Sequence, residues 1–124
     1  AGVRSAVNEI SSLTEQIARL NQVIILAEGS AAGRPANDVH GQRDELINQL
    51  SKFINTDVVK QGDGSYNVFI GSGQAVVVGA NAMPLKAMVS SENPQELTIG
   101  ISIGSKTIVL PENHLMINIE QALI

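Results

Sequence analysis

A chain of 124 residues, 44% apolar and 16% charged with a net charge of −4, has room for one ordinary domain or two small units and is globular in class. It contains no cysteine, which removes a disulfide framework, a thiolate nucleophile and a sulfur-ligated metal. Its three aromatic residues and eight scattered Lys and Arg make neither a base-stacking platform nor a phosphate-binding cluster, and no apolar run approaches the ~18 residues of a membrane-spanning helix.

The N-terminus, Ala1-Gly2-Val3-Arg4, has neither an initiator Met nor the charged and apolar regions of a signal peptide. The other end stops on Ala122-Leu123-Ile124, so the chain is expected to be an internal part of a longer one. From Val3 to Glu28 there is no Gly or Pro, and a heptad runs through the segment. Val3, Ile10, Ile17 and Ile24 share one position, and Ala6, Leu13, Leu20 and Ala27 fall three residues later. A helix of this length is about 40 Å long, more than a domain of this size needs for its own core. A buried core helix is the simpler account. The persistence of the pattern favours an arm that also packs against other segments or subunits.

Gly29 to Pro35 breaks that helix with a flexible turn. The next segment, Asn37 to Ser51, sets contact positions at Val39, Arg43, Leu46, Leu50 and Phe53, one stripe of a second helix that Ile47 and Ile54 widen. Asn37 is a good N-cap, Asp38 places negative charge where the helix dipole favours it, and the helix is expected to stop near Asn55. Gly41 costs about 1 kcal/mol of helix propensity against Ala, so the helix is expected to begin loosely or later than Asn37. A short loop favours antiparallel neighbours. Counting outward from it sets Arg43 near Asn21 and Gln22, Leu46 near Ile17 and Leu20, and Phe53 near Ile10 and Leu13. Arg43 then lies on an apolar stripe, where its stem can be buried but its head needs a carboxylate or carbonyl.

Beyond Asn55 the period changes to two. Strands are expected at 56–61 and 65–70 around the hairpin turn Gly62-Asp63-Gly64, and at 74–78 after Gly71-Ser72-Gly73. Residues 79–84 read as a loop, 85–89 as a strand and 90–95 as another loop. Then Leu97, Ile99, Ile101 and Ile103 alternate with Thr98, Gly100, Ser102 and Gly104, a strand whose second face is small enough for close backbone approach. Gly104-Ser105 turns it into a strand at 106–110, and a further strand is expected near 116–119.

No chemical site assembles from this order. Gly71-Ser72-Gly73 leads into a strand rather than the helix a phosphate loop needs, and Gly33 is followed by Arg34-Pro35. Asp57, Asp63 and Asn67 lack the spacing of a calcium loop. His40 and His114 are the only histidines, and neither has a second His at helical or hairpin distance. Asp44 and Glu45 diverge on a helix by about 100° and cannot flank one substrate bond. No Gly-x-Ser-x-Gly elbow occurs. The residues point to a structural or interacting protein without catalytic, cofactor or metal groups. Two rivals are a secreted binding or adhesion module, for which only Tyr66 and Phe69 are candidate patch residues, and a small hydrolase, which needs convergent carboxylates or His.

Three blocks, VNEISSLTEQIARLNQ from Val7, then PAND with QRDELINQLS from Pro35 to Ser51, then VVKQGDGSYNVFIGSGQAVVVG from Val58, occur in an order that resembles the flagellar hook-associated proteins of the hook–filament junction, the FlgK family. The family places two Leu and an Asp where this chain has Val39, His40 and Gly41. The resemblance implies a non-enzymatic part of the flagellar axial structure, extracellular and exported by the flagellar type III pathway. Its implied partners are the hook protein, the second junction protein and further copies of itself, with no nucleic acid, membrane or small-molecule substrate. The expected fold is α+β: an antiparallel helical hairpin over 1–55, part of a longer helical domain, then an antiparallel β domain over 56–124. Ile10, Leu13, Ile17, Leu20, Asn37, Asp38, Arg43, Leu46, Leu50 and Phe53 are the expected structural and assembly residues.

Overall fold

The computed structural model describes residues 2–29, 37–70, 73–89, 97–103 and 106–109. Among the described residues two helices, α1 (Gly2–Glu28) and α2 (Asn37–Ser51), precede seven strands: β1 (Thr56–Lys60), β2 (Tyr66–Ile70), β3 (Gln74–Val78), β4 (Asn81–Ala82), β5 (Leu85–Val89), β6 (Leu97–Ile103) and β7 (Lys106–Val109). The strands form two antiparallel meanders, β1-β2-β3-β4 and β5-β6-β7. This is the α+β arrangement expected from the change of period after Asn55. The loops expected at 30–35 and 90–95, the Gly104-Ser105 turn and the strand near 116–119 lie outside the described residues.

The heptad of α1 is buried within this chain. Ala6, Ile10, Leu13, Ile17 and Ile24 are buried, while Leu20 and Ala27 are half-buried. Val7, Thr14 and Asn21, each one position after the second row of the heptad, are buried too, and Ala18 with them. That wider stripe belongs to a helix covered on more than one side: α1 touches α2, β3, β4, β5 and β6. Its exposed large apolar residues, Val23 and Leu26, lie off the stripe.

Contacts between the helices fix their sense. Asn21 of α1 meets Arg43 of α2, and Glu28, later on α1, meets His40, earlier on α2. The helices therefore run antiparallel. Leu50 and Ile54 join Ile10, Leu13 and Ile17 in one core with Val68, Ile70, Val76 and Val77 of the first sheet. Leu46, Ile47 and Phe53 pack against that core from its rim. Burying a side chain of this size contributes roughly 1.5–3 kcal/mol, so the core ties helices and sheet into one cooperative body.

Three details depart from the sequence-based expectations. Helix α2 ends at Ser51 rather than near Asn55, because Lys52 and Phe53 donate to the carbonyls of Gln49 and Leu50 three residues back, a tightened last turn that delivers Ile54 to the core. It also starts at Asn37 in spite of Gly41, which is exposed and has open space where a Cβ would stand. Gly41→Ala should therefore stabilise the protein by about 0.5–1 kcal/mol, read as a raised urea midpoint with unchanged slope. Residues 79–84 are not a loop throughout: Gly79 takes φ +58° and β4 turns back to pair Val78 with Asn81 and Val77 with Ala82. A strand of two residues is too short to show a period.

A bulge between Val68 and Phe69 in the β2–β3 pairing adds one residue on β3, so Val76 and Val77 are both buried. The Val76 carbonyl is taken instead by the amide of Met83 at 2.8 Å. In the second sheet, Gly100 is buried in the middle strand, in register with Lys86 on one side and Val109 on the other.

Candidate functional site

Of the buried polar side chains among the described residues, Asn21, Arg43 and Ser65 gather at one place, where the helix pair meets the start of β2, while Thr14 stands apart on α1 and donates to the Ser11 carbonyl. Arg43 is fully buried. Its Nη1 donates to the Asn21 side-chain oxygen at 2.9 Å and to the Gly64 carbonyl at 2.8 Å, and its Nη2 bonds His40 Nδ1 at 2.9 Å. The guanidinium carbon stands 3.4 Å from the centre of the Tyr66 ring, with Lys60 Nζ at 5.8 Å from the same centre. Stacking on a π face recovers part of what a buried cation loses in leaving water. Nε alone is buried without a partner. Burial draws the guanidinium pKa below its ordinary value, while Tyr66, Asp44 and Glu28 push it back up. A guanidinium stays protonated throughout the accessible range, so Arg43 is a permanent buried cation.

Asn21 is the other half of this clamp. Its amide nitrogen donates to the carbonyls of Tyr66 and Gly79, each at 2.8 Å, and its oxygen accepts from Arg43 and from the Tyr66 amide at 3.1 Å. All four bonding sites of the side-chain amide are used. By taking both the N–H and the C=O of Tyr66, Asn21 stands in for a residue of a neighbouring strand. Gly79 is held at its other polar group as well, its amide donating to Asn67 Oδ1 at 2.9 Å.

His40 carries the clamp outward. Arginine can only donate, so Nδ1 of His40 is the acceptor and its proton lies on Nε2, directed at Glu28 Oε2 2.7 Å away. Arg43 was expected to need a carboxylate or a carbonyl: the Gly64 carbonyl meets it directly, and the Glu28 carboxylate stands one imidazole away. Gly64 completes the floor. It has φ +92°, and a Cβ there would meet Glu28 Oε1 at 2.8 Å and Ile24 Cγ2 at 3.0 Å. Gly64→Ala should destabilise by about 1–3 kcal/mol through both backbone strain and crowding, which a urea melt measures.

The turn that presents Gly64 is closed by Asp63, whose Oδ1 accepts from the Ser65 hydroxyl at 2.6 Å and the Ser65 amide at 2.9 Å. The hydroxyl bond first, then the amide, holds the Asp63 carboxyl below its ordinary range. A depressed folded-state value contributes stability above the unfolded range and loses it as pH falls through the folded one.

Of the expected site residues, only Arg43 lies in this network. Ile10, Leu13, Ile17 and Leu50 are in the apolar core, Leu20, Leu46 and Phe53 are half-buried, and Asn37 and Asp38 are exposed in the first turn of α2. His40, Glu28 and Tyr66 were not expected here, and Asn21, though set near Arg43 by the count from the turn, was not among the expected site residues. Asn21 had a second signal: it repeats Val7 and Thr14 at seven-residue spacing, a polar residue on a buried row. Tyr66 and Phe69, the candidates for an exposed aromatic patch, are both half-buried. Among the described residues no three His, Asp or Glu converge to hold a metal ion. A groove of about 910 Å³ opens between the helices, lined by Leu20, Val23 and Leu46 with Gln16, Arg19 and Glu45. Within the clamp, Asn21 and Arg43 hold backbone groups of Tyr66, Gly79 and Gly64.

Comparison with known proteins agrees with the fold. The family model described as the flagellar hook-associated protein FlgK helical domain matches residues 1–116. Flagellar hook-associated protein 1 of Salmonella typhimurium is 34% identical over 114 residues, and that of Escherichia coli K12 is 32% identical over the same length. Each alignment covers 91% of this chain and 21% of the relative, so the chain spans about a fifth of their length. The structure of the flagellar hook junction protein FlgK from Burkholderia pseudomallei superposes with a TM-score of 0.79 at 32% identity, over 92% of this chain and 20% of that one.

Proposed function

Since this chain belongs to the FlgK family of flagellar hook-associated proteins through its helical domain, we propose that it is part of a structural, non-enzymatic component that joins hook to filament in the bacterial flagellum. Residues 1–55 are then a portion of a longer helical domain and 56–124 a portion of an antiparallel β domain. The full-length protein leaves the cell through the flagellar type III pathway and works outside it. There it contacts the hook protein below, the second junction protein above and neighbouring copies of itself around the axis. The observation that carries this reading is the match of residues 1–116 to the family's helical domain. The character of the interior supports it, since a junction subunit has to transmit force without shearing, and the clamp joins hairpin and sheet by directional bonds that an apolar contact lacks.

Deleting the full-length gene in its host tests the role. Cells should keep hooks, lose filaments and release unassembled filament subunits into the medium, and the full-length protein supplied in trans should restore filaments. Normal filaments on the deletion strain would refute the junction role. Export is tested separately, by finding the full-length protein in the medium of cells with an intact flagellar export apparatus and not in cells without one.

A further inference from the structure

Asp63-Gly64 is the one Asp-Gly step in the chain, and no Asn-Gly step occurs. It lies at the tip of the β1–β2 hairpin, with Asp63 exposed, and Gly64 packed on α1 and held through its carbonyl by Arg43. An Asp-Gly step is chemically labile, because a residue without a side chain leaves its amide nitrogen open to the aspartate carboxyl carbon. We propose that Asp63 is a guarded isomerisation site: the docked turn keeps the reacting groups engaged elsewhere, and conversion to isoaspartate, once the turn has opened, takes the Gly64 carbonyl away from Arg43. The inference concerns the fold and stands independently of the junction role.

The reaction needs water alone. The Gly64 nitrogen bonds to the Asp63 carboxyl carbon, the carboxyl OH leaves with the amide proton as water, and a succinimide ring closes. Water then adds to one of the two ring carbonyls. Opening at the carbon of the side chain restores aspartate. Opening at the carbon of the main chain leaves Gly64 attached through the side chain, so the main chain passes through Cβ and is longer by one methylene. The proton that the ionised carboxylate takes from solvent before closure returns when the new carboxyl ionises.

The docked turn opposes closure at both reacting groups. The Gly64 amide proton, which has to be lost, is donated to the Gln61 carbonyl at 3.2 Å. Asp63 Oδ1 accepts from the Ser65 hydroxyl at 2.6 Å and the Ser65 amide at 2.9 Å, and swinging the carboxyl carbon to face the Gly64 nitrogen gives up both bonds. Ser65 is buried, so its hydroxyl gains no water in exchange. The Gln61 amide closes the hairpin on the Ser65 carbonyl at 2.9 Å, and Arg43 anchors Gly64 from behind. Attack requires the reacting atoms aligned at short range, so the reaction proceeds through the fraction of molecules in which the turn is open. The product does not fit the clamp. A Cβ on Gly64 would already meet Glu28 Oε1 at 2.8 Å and Ile24 Cγ2 at 3.0 Å, so the α1 side has no room for a displaced main chain. The added methylene shifts Gly64 against Gln61 and Ser65, and Arg43, fully buried, loses its carbonyl acceptor.

Incubating the protein at neutral pH, below its thermal unfolding, tests both halves of the proposal. Isoaspartate at Asp63 is read by peptide mapping with enzymatic isoaspartyl methylation, in buffer and in unfolding urea, with Asp63→Glu as the blank because its longer side chain closes the ring far more slowly. The folded protein should isomerise about tenfold more slowly than the unfolded protein, or slower still, and Ser65→Ala, which deletes the hydroxyl bond and keeps the amide one, should narrow that gap. Equal rates in buffer and in urea overturn the guard, and that comparison decides the matter even if Ser65→Ala does not fold. A folded Ser65→Ala that isomerises as slowly as the wild type overturns the role given to the Asp63–Ser65 bonds. Isoaspartyl protein formed in urea, separated and returned to buffer should have a lower urea midpoint than unconverted protein carried through the same steps. Equal midpoints overturn the loss of the clamp.

Discussion

Asn21→Leu should cost the protein about 3–5 kcal/mol, read as a large fall in urea midpoint at unchanged slope. The substitution suits the apolar stripe of α1, so sequence pattern alone would count it harmless or stabilising. Its cost lies in what it leaves behind. The Tyr66 amide, the Tyr66 carbonyl and the Gly79 carbonyl all lose the partner that Asn21 provides, and Arg43 Nη1 keeps only Gly64. Buried groups left unpaired cost roughly 1–3 kcal/mol each, with some relief where water can follow the half-buried Tyr66. Asn21→Asp separates the two halves of the amide. It retains the acceptor for Arg43 and the Tyr66 amide but turns a carboxylate toward two carbonyl oxygens, so its loss should be smaller than that of Leu and still clear. A leucine variant as stable as the wild type would mean that the clamp contributes nothing to the fold.

The legible parts of this molecule are those written in long periods. Ile10, Leu13 and Ile17 announce the buried face of α1 because a heptad repeats often enough to outvote its exceptions. The strands at 66–70, 74–78 and 97–103 show through alternation and glycine turns. Arg43 could be placed opposite Asn21 from the turn between the helices alone, since antiparallel helices rise equally away from their connection. The structure draws that pair to 2.9 Å.

What stayed hidden is non-periodic. Residues 81–82 pair for only two positions, and the tightened end of α2 depends on where Ile54 has to go. The role of Asn21 requires the polypeptide at Tyr66, 45 residues later, and at Gly79, 58 residues later, to arrive at the same place. A stripe tells which residues face inward without telling what an inward polar group will meet there. His40 and Glu28 were legible even less. Neither lies on a stripe that a single helix would single out, and their pairing exists only because α2 folds back along α1.

Arg43→Met should cost about 2–3 kcal/mol, and Arg43→Lys should recover little of it. Methionine keeps most of the packing volume and spares the fold the burial of a cation and of an unpaired Nε, which limits the damage. Against that gain stand the Gly64 carbonyl and His40 Nδ1, both stripped of their donor, and the loss of the stack on Tyr66. Asn21 Oδ1 keeps the Tyr66 amide and is the least affected acceptor. Lysine restores the charge but concentrates it on one ammonium, which can approach Gly64 or Asn21 without spanning both and reaching His40, and it offers no plane to the tyrosine ring. The informative comparison is the double variant. Because Asn21 and Arg43 share one bond and one set of partners, losses from Asn21→Leu and Arg43→Met should add to less than their sum, with an interaction energy of about 1 kcal/mol or more. Strict additivity in urea melts would mean that helix–helix and helix–sheet attachments are independent, and that the buried guanidinium only fills space.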